Sequence, residues 1–172
     1  MKTLLLLPAA LLLATAAPAQ TLPAPDDQAV RAVVDHIVLN WNNHQYQDMA
    51  TYTTPDVHWV SMVGMWWQGR EAVQLGHQVI FDRMYQGVKF VPGPVTVRAI
   101  TPEVAIANLT CHVGAFYPPD GVNRGTNKMG DDENILTLVL VKQQGRWLLT
   151  AAQNTVVDAS AAKHNPVKVA AR

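Results

Sequence analysis

The spacing of apolar residues predicts a first amphipathic helix that ends near Asn43. Its apolar positions recur three and four residues apart, which places them on one face of a helix; they are Val30, Val33, Val34, Ile37, Val38 and Trp41. Asp26 and Asp27 precede this stripe, and we expect them to cap the helix and to complement its dipole. A second, short helix is predicted over residues 47–52, before Pro55.

The pattern then changes to that of strands. Residues 57–63 and 65–68 are rich in β-branched and aromatic residues and are separated by Gly64. A third helix is predicted over residues 70–85, and Gly87 follows its end. One face of this helix carries its apolar residues together with a histidine: Val73, His77, Ile80, Phe81 and Met84.

The rest of the chain is predicted to form strands and turns. The extended segments are residues 88–91, 95–100, 104–117, 133–142 and 146–156. The last two are joined by Gln-Gln-Gly at 143–145, which indicates a hairpin. Residues 118–130 form a long loop rich in Pro, Gly, Asn and Asp. Residues 159–172 show no periodicity, and we expect a flexible tail there.

This order of elements predicts an α+β domain, because the helices come first and most of the strands last. We expect a curved, mostly antiparallel sheet wrapped around three N-terminal helices. Residues 104–117 and 133–142 are apolar on both faces, so one face would pack on the helices and the other on a second subunit. A strongly twisted sheet that curls around helices forms a cone, and a cone can hold a pocket.

The first 19 residues have the features of a secretory signal peptide. Lys2 precedes an apolar run over residues 4–17, and small residues follow at Ala17 and Ala19. A membrane anchor is the alternative, but the run is shorter than the ~20 residues that a bilayer requires. We therefore expect a periplasmic or secreted protein with no membrane contact after signal cleavage.

Length and composition fit one ordinary domain. The chain has 172 residues, of which 49% are hydrophobic, so a sizeable core is possible and disorder is excluded for its body. We expect a linker at residues 20–25 and the cone domain at residues 26–158. Thirteen basic residues balance thirteen acidic ones, and no basic patch is visible, so no nucleic-acid partner is expected.

Two segments resemble a known family. Residues 64–71 read Gly-Met-Trp-Trp-Gln-Gly-Arg-Glu and are followed by His77. This resembles the Gly-x-Trp-x-Gly-Arg-x-x-Ile…His pattern of the SgcJ/EcaC family, within the SnoaL-like, nuclear transport factor 2-like superfamily. The last hairpin, with Gly-Arg-Trp at 145–147 and Gln-Asn-Thr at 153–155, is similar to the end of the same family. The resemblance covers residues 26–158.

The resemblance implies a cystatin-like α+β cone that is usually a homodimer through the open sheet face. It leaves the chemistry open, because relatives include ketosteroid isomerases, polyketide cyclases, dehydratases, proteins loosely called oxidoreductases and plain binding domains.

His77 and Asp56 are the candidate catalytic residues. A neutral imidazole on the inner side of the third helix could act as acid, base or hydrogen-bond donor. The alternative for His77 is a core histidine bonded to a backbone carbonyl, and that for Asp56 is a turn residue after Pro55. By its offset from Asp56, the carboxylate base of a ketosteroid isomerase would fall near Ser61. A serine cannot be that base, which disfavours steroid isomerase chemistry.

Aromatic residues are expected to line the mouth of the cone, where they could bind flat apolar ligands by burial and stacking. The ligand-binding candidates are Trp41, Tyr52, Trp59, Ser61, Trp67, Arg70, Phe81 and Asn154. Arg70 could hold a carboxylate or pair with a local acid. Gln153 and Asn154 alternate along a strand, so only one of them can face the pocket. Several tryptophans must instead be core residues, Trp147 above all.

No metal or organic cofactor is expected. The histidines do not have metal-ligand spacing, and no HExxH, CxxC or glycine-rich nucleotide motif is present. The single cysteine, Cys111, is interpreted as a buried, inert thiol. The sequence therefore predicts an exported pocket protein that binds a small hydrophobic or aromatic molecule. Three readings stay open: cofactor-free proton transfer, binding without chemistry, and a cone plugged by its own Trp and Met side chains.

Overall fold

The computed structural model describes residues 21–118, 120 and 122–169. The predicted signal peptide at 1–19 lies outside these residues. The helices are α1 (Ala24–Asn43), a 3-10 turn (Met49–Thr51), α2 (Arg70–Arg83), α3 (Ala159–Lys163) and α4 (Pro166–Val169). The strands are β1 (Thr53–Val60), β2 (Trp66–Gln68), β3 (Phe90–Thr101), β4 (Val104–Val113), β5 (Asp132–Gln143) and β6 (Arg146–Val156).

The strands form one curved sheet in the order β2-β1-β6-β5-β4-β3. All neighbours are antiparallel except β1 and β6, which run parallel. The helix α1 contacts β3, β4 and β6, and α2 contacts β1 and β2. This architecture confirms the predicted α+β class with a mostly antiparallel sheet around N-terminal helices. None of the described helices is long and apolar enough to cross a membrane.

The core lies between α1 and the inner face of the sheet. Along β5, Leu136, Leu138 and Leu140 are buried, and the residues between them turn outward. The facing positions of β4 are small, with Ala105 and Ala107 fully buried. Cys111 is buried on this same inner face, which confirms the predicted burial, and burial raises the pKa of its thiol to about 12, which disfavours the reactive thiolate.

The first helix begins earlier than predicted. Its N-cap is Pro23, so Asp26 and Asp27 lie inside the first turn, and the expectation that they cap the helix was wrong. Asp26 accepts hydrogen bonds from Lys142 Nζ (2.7 Å) and Trp147 Nε1 (2.9 Å). The bond from Lys142 is the main reason that the pKa of Asp26 is lowered. Trp147 is thus a structural residue, as predicted.

Residues 88–91 and 95–100, predicted as separate strands around Pro-Gly-Pro, are parts of the single strand β3, whose register shifts between Pro92 and Val95. The strand lies at the edge of the sheet, where a proline without an N–H group is tolerated. A local sequence pattern does not reveal which strand becomes an edge.

Two short helices follow β6, in the segment for which a flexible tail is predicted. They are α3 and α4, and the carboxylate of Asp158 caps α3 by accepting a hydrogen bond from Ala161 N at 2.7 Å. Apart from the half-buried Asn165, residues 158–167 are exposed, so this segment adds little to the core.

Candidate functional site

A cavity of about 490 Å³ lies beneath the sheet, between α1, α2 and the inner ends of β1, β5 and β6. Its volume is within the range of small-molecule sites, about 300–1,000 Å³. Seven aromatic residues line it: Trp41, Tyr46, Trp59, Trp67, Tyr85, Phe90 and Phe116. The described lining contains few polar side chains besides the tyrosines, namely Ser61, His77, Arg83 and Asn154.

Four methionines, whose side chains are flexible, line the cavity together with the aromatic rings: Met62, Met65, Met84 and Met129. Met65 and Met129 are exposed, at 43% and 53%, and mark where the cavity opens to solvent. Met62 is held by Tyr85, whose hydroxyl donates to its Sδ at 3.4 Å. The wall is therefore mainly apolar.

His77 is fixed at the cavity wall by its own helix. Its Nδ1 lies 2.8 Å from the carbonyl oxygen of Val73, one turn earlier in α2. The rings of Tyr46, Trp59 and Trp67 surround the imidazole, with centroids 4.8, 4.5 and 5.1 Å away. The side chain is 3% exposed and yet lines the cavity. Burial lowers the pKa of His77 to about 4, and the bond to Val73 opposes part of that shift.

The structure confirms the alternative interpretation of His77, a core histidine bonded to a backbone carbonyl, and its role in acid–base chemistry stays a prediction. Nδ1 is bonded to a backbone carbonyl, as in an ordinary core histidine. Nε2 makes no hydrogen bond to any other described residue, and the ring lies at the cavity. With its lowered pKa, the imidazole is neutral at physiological pH and offers one lone pair.

Ser61 and Asn154 also line the cavity, as predicted. Ser61 Oγ accepts a hydrogen bond from Met65 N at 3.1 Å and keeps its own hydrogen to donate. Asn154 is on the inner face of β6, and Gln153 is exposed on the outer face, which decides between these two neighbours. Asn154 Oδ1 is buried without a hydrogen-bond partner among the described residues.

Of the ten predicted site residues, six lie at the cavity: Trp41, Trp59, Ser61, Trp67, His77 and Asn154. Asp56 does not. It is exposed on β1, and a hydrogen bond involving Thr54 is the main reason that its pKa is lowered. In the described part of the chain, no Asp or Glu lines the cavity. The expectation that Asp56 supplies a carboxylate base there is therefore corrected.

Three predicted ligand-binding residues lie elsewhere. The hydroxyl of Tyr52 accepts a hydrogen bond from Asn40 Nδ2 at 3.0 Å. Arg70 donates to Thr53, to Oγ1 at 2.9 Å and to the carbonyl oxygen at 2.6 Å. Phe81 is in the core with its ring 4.6 Å from that of Trp41. Each of these side chains is directed to a neighbouring element and not to the cavity.

Sequence reasoning missed several residues that the site requires. Gly76 is one of them: a Cβ at this position would lie 2.6 Å from the indole of Trp67, so the glycine gives that ring its place in the wall. A glycine inside a helical pattern was a readable signal. Phe116 and Met129 are brought to the cavity by the backbone bridge between them across the long loop. No local pattern indicates that pairing.

The cavity is open, which argues against a cone plugged by its own side chains. Burial lowers the pKa of His77 as it does for any buried histidine, so this shift is compatible with the readings with and without chemistry. Among the described residues no group of three or more His, Cys, Asp or Glu is placed to hold a metal.

The buried imidazole should make stability depend on pH. His77 takes up a proton below about pH 6.5 in the unfolded chain but only below about pH 4 in the folded chain. Between these values the unfolded chain therefore binds more protons, and the free energy of unfolding should fall as the pH is lowered. The slope should approach about 1.4 kcal/mol per pH unit. Urea unfolding at several pH values measures it.

His77→Phe should remove that part of the slope, because the variant has no proton to bind in either state. The same substitution at the exposed His164 is the matched control and should leave the slope unchanged. An equal slope in wild type and His77→Phe would show that the imidazole is not buried in its neutral form.

Comparison with known proteins agrees with the fold. The model of the SnoaL-like domain matches residues 30–157. An uncharacterised protein with a cystatin-like fold from Caulobacter vibrioides is 28% identical, with a TM-score of 0.77 over 84% of this chain and 98% of that chain. A search of the curated proteins found no match.

Two more distant structures share the fold alone. A proposed dehydratase of the nuclear transport factor 2-like family from Streptomyces avermitilis is 18% identical, with a TM-score of 0.63 over 80% of this chain and 99% of that chain. A proposed scytalone dehydratase from Novosphingobium aromaticivorans is 12% identical, with a TM-score of 0.62 over 78% of this chain and 85% of that chain. The narrower SgcJ/EcaC assignment stays a prediction. Because the family model covers most of the chain, the protein belongs to the SnoaL-like domain family.

Proposed function

We propose that the protein binds a small hydrophobic or aromatic molecule in the cavity beneath the sheet. The observation that carries this proposal is an open space of about 490 Å³ whose wall consists mainly of aromatic rings and methionines. Burial of apolar ligand surface in such a wall supplies affinity, and a few polar groups supply orientation. Ser61, His77 and Asn154 are the groups in position to orient a ligand.

Cofactor-free proton transfer is the second candidate function. It is favoured by the neutral His77, which has a lone pair on Nε2 and lies at the cavity wall. A base with a pKa of about 4 is weak, so it would suit only a substrate that is already acidic. The two fold neighbours described as dehydratases make elimination of water the reaction to test first. Without such chemistry, the same cavity serves as a plain binding or accessory domain.

Filling the cavity should weaken binding. Ile80 lines the cavity from α2, and Ile80→Trp would place an indole in the space that the ligand requires. We expect affinity for 2-methylnaphthalene, measured by titration calorimetry, to fall by about tenfold or more, because the indole would occupy the apolar space in which the ligand is buried. Native mass spectrometry of the wild-type protein from its own host should also show a bound small molecule.

The control is Leu75→Trp, because Leu75 is on the same helix, is 65% exposed and does not line the cavity. Equal affinity in the two variants would contradict binding in this cavity. Absence of binding by the wild-type protein would reject the proposed function itself.

We further propose that the protein is exported, with cleavage after Ala19. The support is the charged residue, apolar run and small-residue site of the N-terminal sequence. Export would place the ligand in the periplasm or the surrounding medium. Mass spectrometry of the protein from periplasm and medium should give a mature chain that begins at Gln20. An intact N-terminus in these fractions would contradict cleavage after Ala19, and a protein found only in the cytoplasm would contradict export.

A homodimer through the open sheet face is the proposed assembly. The outer face of β4 and β5 carries Ile106, Val139 and Ile135, the last of which is 45% exposed. Pairing two such faces would remove apolar surface from water. Sedimentation analysis should find a dimer that Ile135→Asp converts to monomer, and a monomeric wild-type protein would refute this assembly.

A further inference from the structure

We propose that the ligand of this cavity is a hydroxyaromatic molecule whose O–H group donates a hydrogen bond to Nε2 of His77. This inference rests on the proposed function, since it names the class of molecule that the cavity would bind. Its basis is the hydrogen bonding of one imidazole and the three aromatic rings around it.

The fold selects one tautomer of the neutral imidazole. Nδ1 of His77 is 2.8 Å from the carbonyl oxygen of Val73, and a carbonyl oxygen can only accept. Nδ1 must therefore carry the hydrogen. A neutral imidazole has one N–H group, so Nε2 presents a lone pair and acts only as an acceptor. Burial keeps the ring in this neutral form, as the lowered pKa of His77 shows.

An acceptor in this position requires a donor from the ligand. Nε2 makes no hydrogen bond to the described residues around it, and the imidazole is 3% exposed at the cavity wall. A ligand that covers Nε2 without donating would leave a buried acceptor unpaired, which is unfavourable. A carbonyl, ether or carboxylate oxygen of a ligand would place its own lone pair against the lone pair of Nε2, and the two would repel. The group that meets Nε2 must therefore carry hydrogen.

The surroundings of Nε2 favour an aromatic hydroxyl over other donors. The planes of the Trp59 and Trp67 rings are steeply inclined to that of the imidazole, at interplanar angles of 87° and 69°. Such a setting suits a flat ring that carries the donor. The hydroxyls of Tyr46 and Ser61 belong to the same cavity lining. A ligand hydroxyl can accept from one of them while it donates to His77, which an N–H group cannot do.

Two nearly isosteric probes separate the hydrogen bond from the apolar contact. 2-Naphthol carries the donor, and 2-methylnaphthalene has a methyl group in its place. Calorimetry gives the affinity of each for wild type, His77→Phe and His77→Gln. We expect the preference for 2-naphthol over 2-methylnaphthalene to fall about tenfold in His77→Phe, the usual effect of one hydrogen bond. His77→Gln should retain part of the preference, because the glutamine amide has an acceptor oxygen.

The outcomes are distinct. If wild type and His77→Phe bind both probes with the same preference, the role of Nε2 is refuted and the cavity proposal stands. If wild type binds neither probe, the proposed function and this inference both fail. If 2-naphthoate binds more tightly than 2-naphthol, and Arg83→Gln removes this difference, the ligand class is an anion and the proposed hydroxyl donor is refuted. If His77→Phe does not fold, nitrogen NMR of wild-type His77 decides: a protonated Nε2 overturns the inference, and an unprotonated Nε2 that shifts with 2-naphthol supports it.

Discussion

An apolar cavity is stable only if its lining side chains are prevented from collapsing into it, because collapse would give them additional dispersion contacts. Protein interiors are close-packed, and an empty space forfeits dispersion contacts. Here large, rigid rings that are anchored from behind line the space. Trp41 Nε1 donates to the carbonyl oxygen of Val88 at 3.2 Å, and the indole of Trp67 lies against Gly76. A ring held in this way cannot rotate into the cavity without losing its anchor.

The same restraint gives the site its chemistry. The rings of Tyr46, Trp59 and Trp67 shield His77 from water, and this burial leaves its imidazole neutral. Because the helix supplies a carbonyl to Nδ1, the remaining nitrogen has a defined role before any ligand arrives. No acidic residue lines the described cavity wall, and Arg83 is its one cationic side chain, so recognition of a ligand would depend on apolar area and on a small number of polar groups.

The helices and strands were readable from the sequence because their signals are local. The stripe that ends at Trp41 and the alternation along β5 each follow from the geometry of one element. His77 was found in the same way, since it shares a helix face with Ile80. Where the prediction failed, the deciding contact came from another element. Phe81 is only one position beyond Ile80, yet it packs on α1 and not on the cavity.

Asp56 and Arg70 show the same limit for polar residues. A carboxylate after a proline and an arginine at a helix start both fit a binding site by type. Their positions on β1 and α2 instead expose the first to solvent and direct the second to Thr53. The sequence alone determined the fold class, the inner face of α2 and the aromatic character of a pocket, because hydrophobic period and composition are properties of single segments. Only the tertiary structure shows that Nε2 of His77 has no partner among the described residues, that the cavity is open, and that Phe116 and Met129 reach it. These features depend on distances between segments that no local period encodes.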